Sequence, residues 1–469
     1  MATKTSDLLG SLPSVSDLLE KPPIRVLVNR WNRSAVAAGA RSFLDELRND
    51  VERRAADLSL PTIGELAERA ARHILQLQLS SLRPAINATG RFHGAPWANI
   101  PLADAALERI VATGRDFVSG PMRTTDALAS AGDAAALLCR LTGAQAATAV
   151  HSYAGAVWLA LAAVAADQEV VISRAELGEV EAGCSLASLC ATSGTLVREV
   201  GTTNRTTPSD YESAISPRTA ALMAIRSDHY RVVGETESVE FGQLAGLARE
   251  RELMLCDAIG GAPLVDHALT AGWCGRSAQA SVAAGADLVV VRGEGLVGGP
   301  TCGILLGRRE IVERIEEHSL FSAWQLDPMK ISALVATLEL YEDREHVEQT
   351  LPLLMLLSTP VDNLRQRAER LAPQLATAQG IAAAEPVEMQ SNLGLAGWTD
   401  RSWPSFGVAL TAAEGQATAL DKRLGAAPRP VRGRVEGDRL VLDLRTVFPR
   451  QDQELVETIV GKVPPAAGA

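Results

Sequence analysis

The stretch "DLVVVRGEGLVGGPTCGILLG" (287–307) runs from one apolar segment through a glycine-rich turn into another. A turn of this kind delivers side chains to the mouth of a sheet, and the delivered positions here are Arg292, Gly293, Glu294 and Gly295. A second candidate is Asp257, at the end of "LMLCDAIGGAP", because open α/β sheets bind ligands at the carboxyl ends of their strands. In pyridoxal phosphate enzymes such an acid keeps the pyridine nitrogen protonated, so that the ring accepts electrons. It can equally cap the following turn through backbone N–H groups. The start of "AVHSYAGAVWLALAA", from Ser152 through Tyr153 and Ala154 to Gly155, reads as a helix N-terminus whose free N–H groups suit a phosphate. Ordinary capping explains the same residues. Arg205, in "VGTTNRTTPSDY", is a candidate for a carboxylate or phosphate, or else part of a solvated loop.

These positions need a scaffold, and the chain alternates in a way that supplies one. Short β-rich runs at 169–174, 195–201, 219–226, 253–259, 287–293 and 302–307 read as buried strands, with helical runs between them. This predicts an α/β fold with a mainly parallel sheet and helices on both faces. Residues 1–85 read as a helical N-terminal domain. Apolar spacing of three and four marks helices over 33–58 and 62–82, and Ser14 and Thr62 read as N-caps, the latter with Glu65 three residues on. The large α/β domain spans 86–327, a long helical connection 328–376, and a small α+β domain 377–469. "VEGDRLVLDLRTV" within the last reads as a β-hairpin turning at Gly437 and Asp438.

Composition narrows the function classes. The 469 residues exceed what one core usually serves. The net charge of −11 argues against a general DNA binder. Only residues 1–85 are mildly basic, with 12 Lys/Arg against 10 Asp/Glu, while the remainder carries 33 against 46. The six cysteines form no CxxC pair and read as reduced thiols of a cytoplasmic protein; Cys184 and Cys190 are read as sharing one helix. The seven histidines lack metal-ligand spacing, which predicts no metal site. No signal peptide is read at the start, and the longest apolar run, 154–166, is too short to span a bilayer. Lysines stand only at 4, 21, 330, 422 and 462.

Taken together, "SLPSVSDLLE", "LRPAINATG", "LTGAQAATAV", "VGTTNRT", "YRVVGETE", "GQLAGLARERELMLCD", "GLVGGPTCGILLGR" and "GRVEGDRLVLDLRTV" resemble the bacterial L-seryl-tRNA(Sec) selenium transferase family, over nearly the whole chain. The resemblance implies a fold-type-I, aminotransferase-like architecture, pyridoxal 5′-phosphate, a homo-oligomer, and an N-terminal domain that docks tRNA. It implies conversion of seryl-tRNA(Sec) to selenocysteinyl-tRNA(Sec). It also exposes departures. The family's Ser-Gly-Asp-Lys-Leu-Leu-Gly-Gly-Pro reads here Arg292-Gly293-Glu294-Gly295-Leu296-Val297-Gly298-Gly299-Pro300, which places Gly295 where the Schiff-base lysine belongs. Asn99, Ser322 and Gln325 fall where arginines are expected, and of a third arginine-bearing loop only Arg123 remains, out of register. Guanidinium forks supply charge and paired hydrogen bonds together, so their loss is not conservative. The expectation is a family member impaired in the ancestral reaction, with covalent cofactor attachment at Gly295 not possible. The alternatives are changed, lyase-like chemistry on a small amine or sugar acid, and a non-catalytic tRNA- or subunit-binding role. Lys330 is a weak candidate for rescuing the lost amine.

Overall fold

Ser14 caps the first helix, α1 (Val15–Leu19), and its side chain and that of Asp17 cap each other's backbone N–H groups. The computed structural model describes residues 10–54, 61–78, 82–94, 97, 99–119, 133–181, 183–270, 275–394, 402–413 and 416–461. Helices α2 (Pro22–Arg30), α3 (Arg33–Arg54) and α4 (Ile63–Gln78) follow, α4 entered through the expected Thr62–Glu65 capping pair. Their apolar faces, with Leu18, Ile24, Val36, Leu44, Ala67 and Ile74, close a small core of their own.

Seven strands make the central sheet: β1 (Ala146–Val150), β2 (Glu169–Ser173), β3 (Leu196–Val200), β4 (Thr219–Ile225), β5 (Met254–Gly260), β6 (Leu288–Arg292) and β7 (Gly303–Gly307). Their spatial order is β1-β7-β6-β5-β4-β2-β3. Neighbours pair in parallel except β7, which runs antiparallel to both β1 and β6. The six expected strands are all present, within a residue or so of their ends. One differs in burial: β3 is an edge strand, with Leu196 42% exposed, because nothing pairs beyond it in the sheet.

Alternation along the strands builds two cores, one on each face. Val290, Leu305, Cys256, Ala258 and Met223 pack under helix α5 (Tyr153–Ala165). Val289, Val291, Leu255, Ile259 and Leu222 face the other way, toward the helices over 241–250 and 278–283 and toward α6 (Pro328–Leu340). The helical connection over 328–376, read as interrupted near "LPLL", is α6 followed by three further helices, Val347–Thr350, Pro352–Ser358 and Val361–Leu375. Pro352 and Pro360 account for the breaks, since proline starts a helix readily and cannot continue one.

A four-stranded antiparallel sheet closes the chain: β8 (Ile381–Asn392), β9 (Ser402–Ala412), β10 (Arg434–Glu436) and β11 (Arg439–Asp443), ordered β8-β9-β11-β10. The expected hairpin joins β10 to β11, with Glu436 opposite Arg439 and Gly437 at φ +63. Ile86–Asn87 pairs in parallel with Val431–Arg432, so Ile86 and Ala88 belong to the separate core of this C-terminal sheet. Cys184 lies not on a helix with Cys190 but in a two-residue strand, Cys184–Ser185, opposite Glu179–Glu181; Cys190 alone is helical. The described cysteines are free thiols.

Candidate active site

Strand β6 ends at Arg292, and the turn that follows is built by its glycines. A Cβ at Gly293 would lie 2.2 Å from Cys302 Sγ and 2.8 Å from the Pro300 carbonyl. Gly293 N–H donates to the Cys302 carbonyl (2.9 Å) and Gly299 N–H to that of Gly293 (2.8 Å). The Tyr341 hydroxyl lies 3.1 Å and 2.9 Å from the Leu296 and Val297 carbonyls and donates to them. Gly295 is different. Its φ is +75, but a Cβ there would meet no atom within 4 Å. The position is open, and it faces a cavity of about 190 Å³.

The chemistry of that cavity comes from Glu181, Asp228, Arg292, Glu294, His93 and His229, against apolar walls that include Leu296 and Leu353. Arg292 is its centre. Nε donates to Asp228 Oδ2 (2.8 Å), one terminal nitrogen to Glu181 (3.0 Å) and Glu294 (3.5 Å), and the other to the Val180 carbonyl (2.5 Å). The guanidinium lies over the Tyr153 ring, 4.4 Å from its centroid. Burial works against its charge, but Asp228 and Glu294 outweigh that and hold its pKa above the ordinary value. Asp228, 3% exposed, also accepts from Gly261 N–H (3.0 Å). Burial raises the Glu294 carboxyl, Arg292 opposing it, while the backbone of Cys302 donates to its other oxygen (3.2 Å). Burial and the Arg292 charge lower the pKa of His93, with Asp228 opposing them. His93 Nδ1 and His229 Nε2 are buried without a hydrogen-bond partner.

Asp257 does not share this cavity. It is the fourth of the seven residues of β5 rather than its end, and it points to the face opposite α5, with Leu255 and Ile259. Its carboxylate is 2% exposed and already engaged. Arg276 reaches both oxygens (3.1 and 3.0 Å) and lies 3.7 Å over the Phe241 ring, and Ser281 donates to Oδ2 at 2.6 Å. The turn-capping alternative is not what the carboxylate does: its partners are side chains.

Ser152 is the N-cap of α5, and its Oγ accepts from Gly155 N–H (3.1 Å). With Ala154, Gly155, His151, Trp158 and Trp324 it lines a separate open pocket that shares no lining residue with the first. Tyr153 turns inward instead, and its hydroxyl accepts from Gly260 N–H (3.0 Å). Lys330, on α6, pairs with His151 Nδ1 (3.3 Å) beside the open pocket and does not line the cavity. Arg205 is exposed and bound to Glu237 (2.6 Å). Asn99 is exposed, next to Ile100 of the cavity wall; Gln325 bridges to Val150 and Ser322 is exposed. Arg123 lies outside the described residues. Of the positions that the sequence reading grouped at the turn, Arg292, Glu294 and Gly295 line this one cavity. It missed Asp228, His93 and His229, which lie on loops without a motif of their own, and Glu181, at the end of the short strand Glu179–Glu181.

The profile of the family described as "L-seryl-tRNA selenium transferase" matches residues 87–448. The chain belongs to this family. A profile for "Selenocysteine synthase N terminal" matches residues 9–48. The L-seryl-tRNA(Sec) selenium transferase of Klebsiella pneumoniae (strain 342) is 34% identical over 451 residues, covering 95% of this chain and 97% of that protein. The one of Carboxydothermus hydrogenoformans is 31% identical over 448 residues, 95% of each. Among solved structures, a D-glucosaminate-6-phosphate ammonia-lyase superposes with a TM-score of 0.57 at 20% identity, over 81% of this chain and 96% of that one. The fold is the fold-type-I architecture of pyridoxal phosphate enzymes. Among the described residues no helix is long and apolar enough to cross a membrane.

Proposed function

We propose that this chain is a selenium transferase family member that does not convert seryl-tRNA(Sec) to selenocysteinyl-tRNA(Sec), and that it works as a non-catalytic tRNA- or subunit-binding homo-oligomer. The observation that carries this reading is the state of the turn over 292–300. The resemblance puts the Schiff-base lysine at Gly295, and the cavity that Gly295 faces has no lysine among its described lining residues. The reaction needs that amine twice, to hold the cofactor and to be displaced by the incoming aminoacyl group. Neither arginine nor glycine replaces it, because a guanidinium stays protonated at neutral pH.

Pyridoxal phosphate does not fit the residues present. The acid expected at the ring nitrogen, Asp257, is not among the cavity's lining residues and is satisfied by Arg276 and Ser281. Among the described lining residues one guanidinium is shared among three carboxylates, so a phosphate dianion entering the cavity meets a net negative wall. The helix N-terminus expected to cradle the phosphate borders a different pocket. Binding of tRNA is assigned to the mildly basic helical residues 1–85, as the family's N-terminal profile supports.

The test is turnover. Purified protein supplied with seryl-tRNA(Sec), pyridoxal phosphate and a selenium donor is expected to form no selenocysteinyl-tRNA(Sec), and to fail to complement a strain lacking the enzyme. Turnover or complementation at the level of a family enzyme contradicts the proposal.

A further inference from the structure

We propose that Arg292 is a built-in plug: its guanidinium, clamped by Asp228, Glu181 and Glu294 on the Tyr153 face, closes the former cofactor cavity to pyridoxal phosphate in any binding mode. This goes beyond the missing lysine, though it rests on the reading of Gly295 as that lysine's position. Loss of the amine alone abolishes covalent attachment and leaves non-covalent binding open. The arrangement around Arg292 closes that second route as well.

The argument has three parts. First, the plug is tethered. Four acceptors hold Arg292: the carboxylates of Asp228, Glu181 and Glu294, and the Val180 carbonyl. Taking one partner out of a buried ion pair strands the other charge, so an incoming ligand displaces Arg292 only at a heavy desolvation cost. Second, the plug covers the surface a planar ring would use. Tyr153 is 2% exposed; its hydroxyl is fixed to Gly260, and a planar cation already lies 4.4 Å over its ring. Third, the plug is matched in charge and the cofactor is not. Asp228 and Glu294 are both largely buried and both face this guanidinium, whereas a phosphate dianion adds negative charge where, among the described lining residues, Arg292 is the one guanidinium and is already shared. The space itself is there, since a Cβ at 295 meets nothing within 4 Å. The cavity is blocked by its occupant and its charge, not by collapse.

Retention of pyridoxal phosphate is measured by equilibrium dialysis and borohydride trapping in four full-length proteins. They are wild type, Gly295→Lys, the fourfold variant Glu181→Gln/Asp228→Asn/Arg292→Ser/Glu294→Gln, and that variant combined with Gly295→Lys. Wild type and Gly295→Lys are expected to retain no cofactor above background. The fourfold variant, which removes the plug together with all three carboxylates, should bind reversibly at least about tenfold more tightly than wild type. The combined variant should yield a trapped adduct at residue 295. A trapped adduct in Gly295→Lys alone overturns the plug while upholding Gly295 as the lost lysine. Reversible binding to wild type also overturns the plug, and leaves the absence of turnover standing. A folded combined variant that holds no cofactor counts against it too. The Gly295→Lys protein keeps every buried ion pair, so that arm decides the question whether or not the others fold.

Discussion

At the scale of single residues, the carboxyl face of the sheet is organised by buried charges that satisfy one another. Asp257 and Arg276 form one such pair, and its worth lies in the cost of breaking it. Arg276→Met is predicted to lower unfolding stability by about 3 kcal/mol, because Asp257 stays buried without its partner. Adding Asp257→Leu should recover most of that loss in urea titrations, since an apolar pair of similar volume needs no solvation. Glu176 offers a pH signature. Burial raises its pKa from 4.5 to about 7, against a hydrogen bond from Ile225 N–H (3.0 Å). The folded state thus keeps a proton that the unfolded state has released, and stability falls as pH rises from 4.5 toward 7. Glu176→Gln should flatten the urea midpoint over that window; an unchanged slope contradicts the assignment. The sequence showed these residue types but not their pairing. Asp257 and Arg276 are 19 positions apart, Asp228 and Arg292 are 64, and no spacing rule spans a sheet crossover.

At the scale of elements, the turn over 292–300 keeps its shape for steric reasons independent of any chemistry. Gly293→Ala is predicted to destabilise strongly, because its Cβ would overlap Cys302 Sγ and the Pro300 carbonyl. Gly295→Ala should cost only about 1–2 kcal/mol, the price of a left-handed backbone for a residue with a Cβ. Comparing the two midpoints checks both. This contrast explains why the glycine frame of the turn was legible in the sequence while its contents were not. Backbone-to-backbone approach constrains residue type locally, whereas the occupant of a cavity is set by loops from elsewhere. Strands were legible for a related reason: runs such as "LVVV" (288–291) are buried on both faces and stay apolar throughout. The side to which Asp257 points was not, because a single residue of register decides it.

At the scale of the whole molecule, three features sit on separate cores: the N-terminal helices, the two-faced central sheet, and the C-terminal sheet joined by Ile86 and Ala88. The helices over 15–78 bury their own apolar faces, so the assigned tRNA function is separable from the cavity. Deleting residues 1–85 is predicted to abolish retention of tRNA on filters at low salt while leaving the cooperative unfolding of the remainder. The Asp228→Asn/Arg292→Ser protein should retain tRNA as wild type does. Family membership and the α/β architecture were readable because so many ordered segments are kept, and each of them is scaffold rather than chemistry.

The central claim is that the fold persists with its cofactor chemistry removed, and peptide mapping tests it most directly. Wild-type protein is incubated with excess pyridoxal phosphate, dialysed, reduced with borohydride and mapped by mass spectrometry. The account predicts no stoichiometric phosphopyridoxyl lysine at any site, including Lys330. A full equivalent on Lys330, with its peptide protected from modification by a competing cofactor analogue, would contradict it.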